Sequence, residues 1–199
     1  MKIEFIVPTF QRTEHLAVLL GSLVCQTSPN WTAHVIADCP DDDTFKRIKA
    51  VVDFYYDNRI RLSKTNFRHN DWGHTPRNIG LQEAQQEWIV MTGEDNYYMP
   101  RFVADFLDVA KSDPSIFFVF CNFVNIYRTV NNVYYPVKAK LELGFIDIGC
   151  FMFKNLLRYD LKLDTKLMEA DYKFAQEYLI QNEGNGNIVQ LDKMLYVHN

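Results

Sequence analysis

Glu94 and Asp95 stand side by side, separated by two residues from the end of the apolar run Trp88–Met91. A carboxylate at the carboxyl end of a parallel strand faces the crevice where open α/β sheets bind ligands, and two of them offer hard oxygen ligands to a divalent cation. Gly93, Glu94, Asp95 and Asn96 are equally good turn residues, so the pair alone leaves a binding site and an ordinary turn both open. A second polar group, residues 68–74, surrounds one large aromatic ring, Trp72, a setting in which a tryptophan lines a site. His69 and His74 in that group do not by themselves make a metal site.

The apolar pattern shows what would position these residues. Residues 3–9 form a nearly unbroken apolar run, which predicts a central strand covered by helices on both faces. Thr13 can cap a helix carrying Leu16, Leu19, Leu20, Leu23 and Val24 on one face, and residues 33–37 read as the next strand. Asp41, Asp42, Asp43 and Thr44 open a second helix with Phe45, Ile48 and Val52 inward, as suits the positive end of its dipole. Residues 59–63 read as a short third strand. Thr75 as cap and Pro76 at the first helical position start a third helix reaching about Gln85, which leads into the Trp88–Met91 strand. A helix with Phe102, Val103, Phe106, Leu107 and Ala110 inward and a strand over 116–122 follow. Three βα units followed by two more strands fit a three-layer α/β/α sandwich. Beyond them, residues 134–153 read as strand-rich with a glycine-containing break, 171–181 as a helix and 188–197 as a closing strand.

With 199 residues, 48% apolar and 15% aromatic, the chain can bury one substantial core, and a single domain over 1–199 is expected. A net charge of −4 with both signs interspersed argues against a general nucleic-acid surface, which carries a basic stripe. Cys25, Cys39, Cys121 and Cys150 lie far apart with no C-x-x-C pair, the pattern of buried thiols in a reducing compartment. The N-terminus lacks the layout of a secretory leader and the aromatic-aliphatic run 116–120 is too short to span a bilayer, so a soluble cytoplasmic protein is expected.

Ile6-Val7-Pro8-Thr9-Phe10-Gln11-Arg12, Asp38 after the second strand, Thr75-Pro76-Arg77-Asn78-Ile79-Gly80 and Gly93-Glu94-Asp95-Asn96-Tyr97-Tyr98-Met99-Pro100, in that order, resemble the family 2 glycosyltransferases of the GT-A fold over roughly the first 110 residues. Glu169 and Asp171 at a helix start, and His198 at the end of the closing strand, extend the likeness. The resemblance implies a Rossmann-like sandwich with a mostly parallel central sheet and a smaller mixed half, divided into a nucleotide-sugar-binding half (1–110) and an acceptor-side half (111–199). It implies a nucleoside-diphosphate sugar, with UDP the commonest nucleotide, held by Pro8, Thr9, Phe10 and Arg12 and by Asp38 at the base. Arg77, a cation in a helix's first turn, needs a compensating partner, which a diphosphate, a nucleobase edge or a surface ion pair would each supply.

Where the family carries Asp-x-Asp this chain reads Gly93-Glu94-Asp95, so the first aspartate is missing. Charge accumulating on a departing diphosphate is stabilised by a divalent cation acting as Lewis acid and template. Asp95 is the leading ligand by resemblance and His198 the candidate imidazole; oxygen ligation suits Mg²⁺ or Mn²⁺, and an imidazole tilts the choice to Mn²⁺. Glu94 either stays outside the coordination sphere or replaces the lost aspartate in reaching ribose or metal through water. Inversion by single displacement needs a carboxylate to take the acceptor hydroxyl's proton. Asp171 is the candidate and Glu169 the runner-up, although a helix dipole favours acids in a first turn in any case. Trp72 and Asp147 are candidates for the acceptor. Tyr55-Tyr56, Tyr97-Tyr98 and Tyr134-Tyr135 offer faces on which pyranose rings lie, with core packing the commoner use.

The activity implied is metal-dependent, inverting transfer of a sugar from a nucleotide-sugar donor to a hydroxyl of a glycan or glycoconjugate. A sugar-1-phosphate nucleotidyltransferase would share a similar fold, yet the first strand here leads to Pro8-Thr9-Phe10-Gln11-Arg12 and not to a glycine-rich loop with a following basic residue. A non-catalytic nucleotide-sugar or glycan-binding module is the alternative that the missing aspartate favours. The length fits either one catalytic module of a longer polypeptide or a minimal enzyme.

Overall fold

The computed structural model describes residues 1–39, 41–126, 134–156, 161–168, 170–184 and 186–199. Strand β1 (Ile3–Thr9) is buried along its whole length and pairs in parallel with β2 (Trp31–Ala37) on one side and β4 (Trp88–Met91) on the other. β3 (Ile60–Lys64) adds in parallel to β2, giving the order β3-β2-β1-β4 expected of repeated right-handed crossovers. The continuous apolar runs required this, since a strand covered on both faces has no polar side to alternate.

Helix α1 (Thr13–Val24) buries Leu16, Leu19, Leu20 and Leu23, one apolar stripe at three- and four-residue spacing, each side chain contributing about 1.5–3 kcal/mol of burial. Thr13 does not cap it: Arg12 occupies the cap position without a side-chain bond, and Thr13 is the first helical residue. Helix α2 (Asp42–Phe54) starts as expected, with Asp41 accepting from Thr44 N at 2.7 Å. Helix α3 (His74–Gln82) begins earlier than the Thr75-Pro76 pattern predicts, because Asp71 reaches forward to accept from both Thr75 N (2.9 Å) and Thr75 Oγ1 (2.5 Å). Gly73, at φ +82°, makes the entry turn, and Gly80 lets α3 lie directly on β1 and β2, where a Cβ would overlap Ile6 and come within 2.9 Å of Ile36.

The second half of the sheet is mixed. β8 (Phe151–Lys154) runs antiparallel to β4 and to β6 (Ile116–Asn125), and β9 (Asn187–His198) runs parallel to β6 with three register shifts. β5 (Tyr97–Tyr98) pairs antiparallel with the end of β9, Tyr97 opposite Val197, and β7 (Tyr135–Val137) pairs with β6. The strand-rich reading of 134–153 is therefore too generous. Between β7 and β8 the chain turns through Gly144, at φ +80°, and through a turn that Asp147 holds by accepting from Gly149 N at 2.8 Å. Helices α4 (Phe102–Ser112) and α5 (Ala170–Gln181) complete the fold, with Phe102 and Tyr98 packed on Phe5, Phe106 stacked on Phe102, and Phe174 and Tyr178 packed on Phe153. No helix among the described residues is long and apolar enough to cross a membrane.

Candidate functional site

The carboxyl ends of β1, β2 and β4 open into one cleft of about 500 Å³, within the range of small-molecule sites. Its first wall is the β1 loop, Pro8, Thr9, Phe10 and Arg12. Asp38 N donates to Thr9 O at 2.8 Å, so the ends of β1 and β2 are tied at the point where the cleft begins.

Glu94 and Asp95 form the opposite wall, and Arg12 bridges both, with Nε donating to Glu94 Oε1 at 2.9 Å and Nη1 to Asp95 Oδ2 at 2.7 Å. Burial pushes the Glu94 carboxyl up, and Arg12 only partly offsets it. A Cβ on Gly93 would stand 2.8 Å from Asp95 Oδ1, so a side chain here would push the Asp95 carboxylate aside.

Asp38 is held by Thr65 Oγ1 (3.2 Å), by the backbone N–H of His69 (3.1 Å) and of Asn70 (3.3 Å), and by the His69 ring at 2.9 Å. Burial pushes its carboxyl up, but these bonds prevail and hold it below the usual value. Arg68 lies over the Phe10 ring at 3.3 Å, completing a planar, charged corner beside Asp38. Sequence reading passed over Arg68, Asn70 and Asp71 as cleft residues; the signal was their place in the polar loop before α3. Asn70 and Trp72 adopt left-handed backbone (φ +53° and +56°), a strain that concentrates at functional loops.

Arg77 is buried at the cleft floor: Nε donates to Thr92 O at 3.0 Å and Nη1 to Trp72 O at 2.9 Å, with His74 Nδ1 3.5 Å from Nη1. Three buried polar atoms of cleft residues, Thr9 Oγ1, Arg68 Nη1 and Asp71 Oδ1, have no partner within the protein, which fits a wall built to meet a polar ligand.

A second cavity of about 150 Å³ adjoins the first, and Trp72, Arg77, Gly93, Asp95 and His198 line both. Asp147 and Asp171 stand on its far side. Asp171 Oδ2 accepts from Ile148 N at 3.3 Å, and burial, with the Asp147 carboxylate nearby, pushes the Asp171 carboxyl up to about 6. Asp147 turns its carboxylate inward, to Tyr196 Oη (2.6 Å), Gly149 N and His198 Nδ1 (3.1 Å). Glu169 lies outside the described residues. A further groove of about 370 Å³, lined by Leu143, Ile146, Met168 and Tyr172, also reaches Asp171.

The tyrosine pairs do not gather at the cleft. Tyr98 is core, donating to Gly149 O at 3.2 Å; Tyr55 donates to Ala17 O; Tyr56, Tyr134 and Tyr135 are exposed. Among the described residues no three His, Cys, Asp or Glu side chains converge as a self-sufficient metal site. Asp95 and His198 supply one oxygen and one imidazole, a pair that suits Mg²⁺ or Mn²⁺ bound jointly with a diphosphate, since such cations keep most of their shell for substrate oxygens and water.

Residues 4–162 match the family model of glycosyl transferase family 2. An uncharacterized glycosyltransferase of Haemophilus influenzae is 26% identical over 127 residues, 62% of this chain and 40% of that protein. The poly(ribitol-phosphate) beta-N-acetylglucosaminyltransferase TarS of Staphylococcus aureus is 29% identical over 119 residues, 57% of this chain and 20% of that protein. The chain thus spans well under half the length of these curated relatives. A crystal structure of S. aureus TarS in complex with UDP matches all of this chain and 60% of its own at a TM-score of 0.77 and 21% identity. The mannosyltransferase PcManGT from Pyrobaculum calidifontis, in complex with GDP-Man and Mn²⁺, matches 99% of this chain and 56% of its own at 0.73 and 16%. These structural likenesses show a shared GT-A fold.

Proposed function

The chain belongs to glycosyl transferase family 2, and from that premise we propose that it transfers a sugar from a nucleoside-diphosphate sugar to a hydroxyl of a glycan or glycoconjugate, with inversion and with the help of Mn²⁺ or Mg²⁺. The observation that carries the reading is convergence: Thr9, Arg12, Asp38, Arg77 and Asp95 line one cleft, and Asp171 lines the cavity that opens from it. TarS has been solved with UDP and with UDP-GlcNAc, which makes a UDP-sugar the leading donor, and the GDP-Man complex of PcManGT keeps GDP as the alternative.

Residues 1–110 form the donor half of this account. The Asp38 and Arg68–Phe10 corner takes the nucleoside, with Asp38, an acceptor, meeting N–H or hydroxyl groups. Arg12 and Arg77 face the diphosphate, the guanidinium fork being matched to phosphate oxygens. A cation held by Asp95 and His198 would supply charge stabilisation for the departing diphosphate. Residues 111–199 form the acceptor half. Asp171 takes the proton as the acceptor oxygen attacks the anomeric carbon and the carbon–oxygen bond to the diphosphate breaks on the opposite face. A carboxyl near 6 is mostly ionised at neutral pH yet more basic than an ordinary aspartate, which suits that task. All four cysteines are unpaired thiols, in keeping with a cytoplasmic setting.

The test is nucleotide release from a panel of UDP- and GDP-sugars with Mn²⁺. Turnover of one donor, abolished by Asp171→Asn while that donor still binds, is the expected result; affinity without turnover in the wild type would leave a binding module.

A further inference from the structure

We propose that the indole of Trp72 is the platform on which the transferred pyranose of the donor lies; the proposal deepens the donor-site reading above and rests on it. Of the three tryptophans, Trp72 is the one that water reaches. Trp31 and Trp88 are core residues, whereas Trp72 is 59% exposed, and a ring so open cannot have both faces covered by protein. Asp71 and His74 on either side of it are buried, so the exposure belongs to this side chain and not to a loop lifted off the surface.

The backbone holds the ring there under strain. Trp72 sits at φ +56°, a left-handed conformation that glycine or asparagine adopts readily and a bulky residue rarely. Fixed contacts around it impose that conformation. Trp72 O accepts from Arg77 Nη1 at 2.9 Å, Asp71 accepts from Thr75 N at 2.9 Å, and Gly73 packs so closely on β1 that a Cβ there would come within 2.9 Å of the Pro8 side chain. Strain of this kind persists where the surrounding structure over-determines it, and it gathers at ligand-contacting loops.

Position selects the part of the ligand. Phe10, Arg68 and Asp38, the nucleoside corner, line the first cleft and not the second cavity, while Asp171 lines the second cavity and not the first cleft. Trp72 lines both, as do Arg77 and Asp95. It therefore stands where the space beyond the diphosphate groups turns towards the base, which is the place of the anomeric carbon and its ring. A pyranose turns C–H bonds to one face and hydroxyls to its rim, so an aromatic face on one wall and charged groups around the rest of the cavity match it.

One exposed tryptophan among three makes the test spectroscopic. Acrylamide quenching of the wild-type chain should report Trp72, and Trp72→Phe should abolish it. With Mg²⁺ present, the nucleotide sugar that the wild type binds among UDP-GlcNAc, UDP-glucose and GDP-mannose should shield Trp72 from acrylamide more than the corresponding nucleoside diphosphate does. By calorimetry Trp72→Ala should bind that nucleotide sugar about tenfold more weakly and the bare nucleoside diphosphate as the wild type does, with Trp72→Phe close to the wild type for both. Equal losses for nucleotide and nucleotide sugar, or no loss for either, overturn the proposal. Shielding by a free glycan, maltose or chitobiose, with none from the nucleotide sugar gives the indole to the acceptor and overturns it as well. A wild type that binds neither nucleotides nor nucleotide sugars defeats the donor-site reading itself, and this proposal with it.

Discussion

Arg12 Nη1 lies 2.7 Å from Asp95 Oδ2 while its Nε meets Glu94 Oε1 at 2.9 Å, so a single guanidinium closes the cleft over both carboxylates of the β4 turn. The Arg12 side chain is 53% exposed, and an ion pair so open to water contributes little and exchanges readily. On the proposed donor reading, an entering diphosphate would compete for Arg12 and free Asp95 for a cation, coupling donor entry to metal binding.

Arg12→Ala should therefore bind Mn²⁺ more tightly than the wild type in the absence of nucleotide and bind nucleotide about tenfold more weakly, the lower end for a hydrogen bond between charged partners. Paramagnetic-resonance and calorimetric titrations check the two halves. Unchanged Mn²⁺ affinity would mean that Arg12 does not compete for Asp95.

Asp171 carries a pH signature. Its carboxyl is raised from an ordinary value near 3.8 to about 6 by burial and by Asp147, so the base is lost as pH falls through about 6, and kcat should decline on that acidic limb. The sign for stability is opposite to that of a salt-bridged acid. The folded state holds this proton more tightly than the unfolded chain, so stability falls as pH rises from about 4 through 6. Asp171→Asn should accordingly be more stable than the wild type at pH 7, by on the order of 3 kcal/mol at most, while losing turnover. Urea melts at pH 4 and pH 7 measure the difference, which should vanish at the lower pH.

Gly80→Ala should cost about 1–3 kcal/mol, because the added methyl overlaps Ile6 and crowds Ile36 where α3 meets β1 and β2. Arg77 rides on the same helix, so nucleotide affinity should fall with stability. Denaturant melts paired with calorimetry test the link; a destabilised protein that binds nucleotide normally would detach Arg77 from the donor site.

Asp38→Ala removes the acceptor shared by Thr65, His69 and Asn70, and leaving the part-buried N–H groups of His69 and Asn70 without it should cost on the order of 1 kcal/mol. Limited proteolysis should then nick the loop over 66–73 faster than in the wild type. The Asp38 carboxyl is held below its usual value, so its contribution is present above about pH 4 and is lost as pH falls through the lower folded value.

The parts of the fold that could be read in advance were those written in local periodicity. The largely apolar runs of β1, β2 and β4 and the stripe of α1 carry the signal of buried strands and an amphipathic helix. The Thr75-Pro76 pattern puts the start of α3 two residues late because Asp71, four residues before Thr75, accepts from both its N–H and its hydroxyl, bonds that no propensity records. Candidate site residues at strand ends were legible for the same reason the strands were. Their partners were not: Arg12 and Glu94 are 82 residues apart, Asp38 and His69 are 31 apart, and Asp147 and Tyr196 are 49 apart, so each pairing exists only once the sheet order is known.

The most direct test of the central claim is calorimetric titration of the protein with UDP and GDP, with and without Mn²⁺, repeated on Asp95→Ala. One nucleotide is expected to bind, more tightly with Mn²⁺, with that gain disappearing in Asp95→Ala; a nucleotide affinity indifferent to both Mn²⁺ and Asp95, or no binding at all, would contradict a metal-assisted donor site.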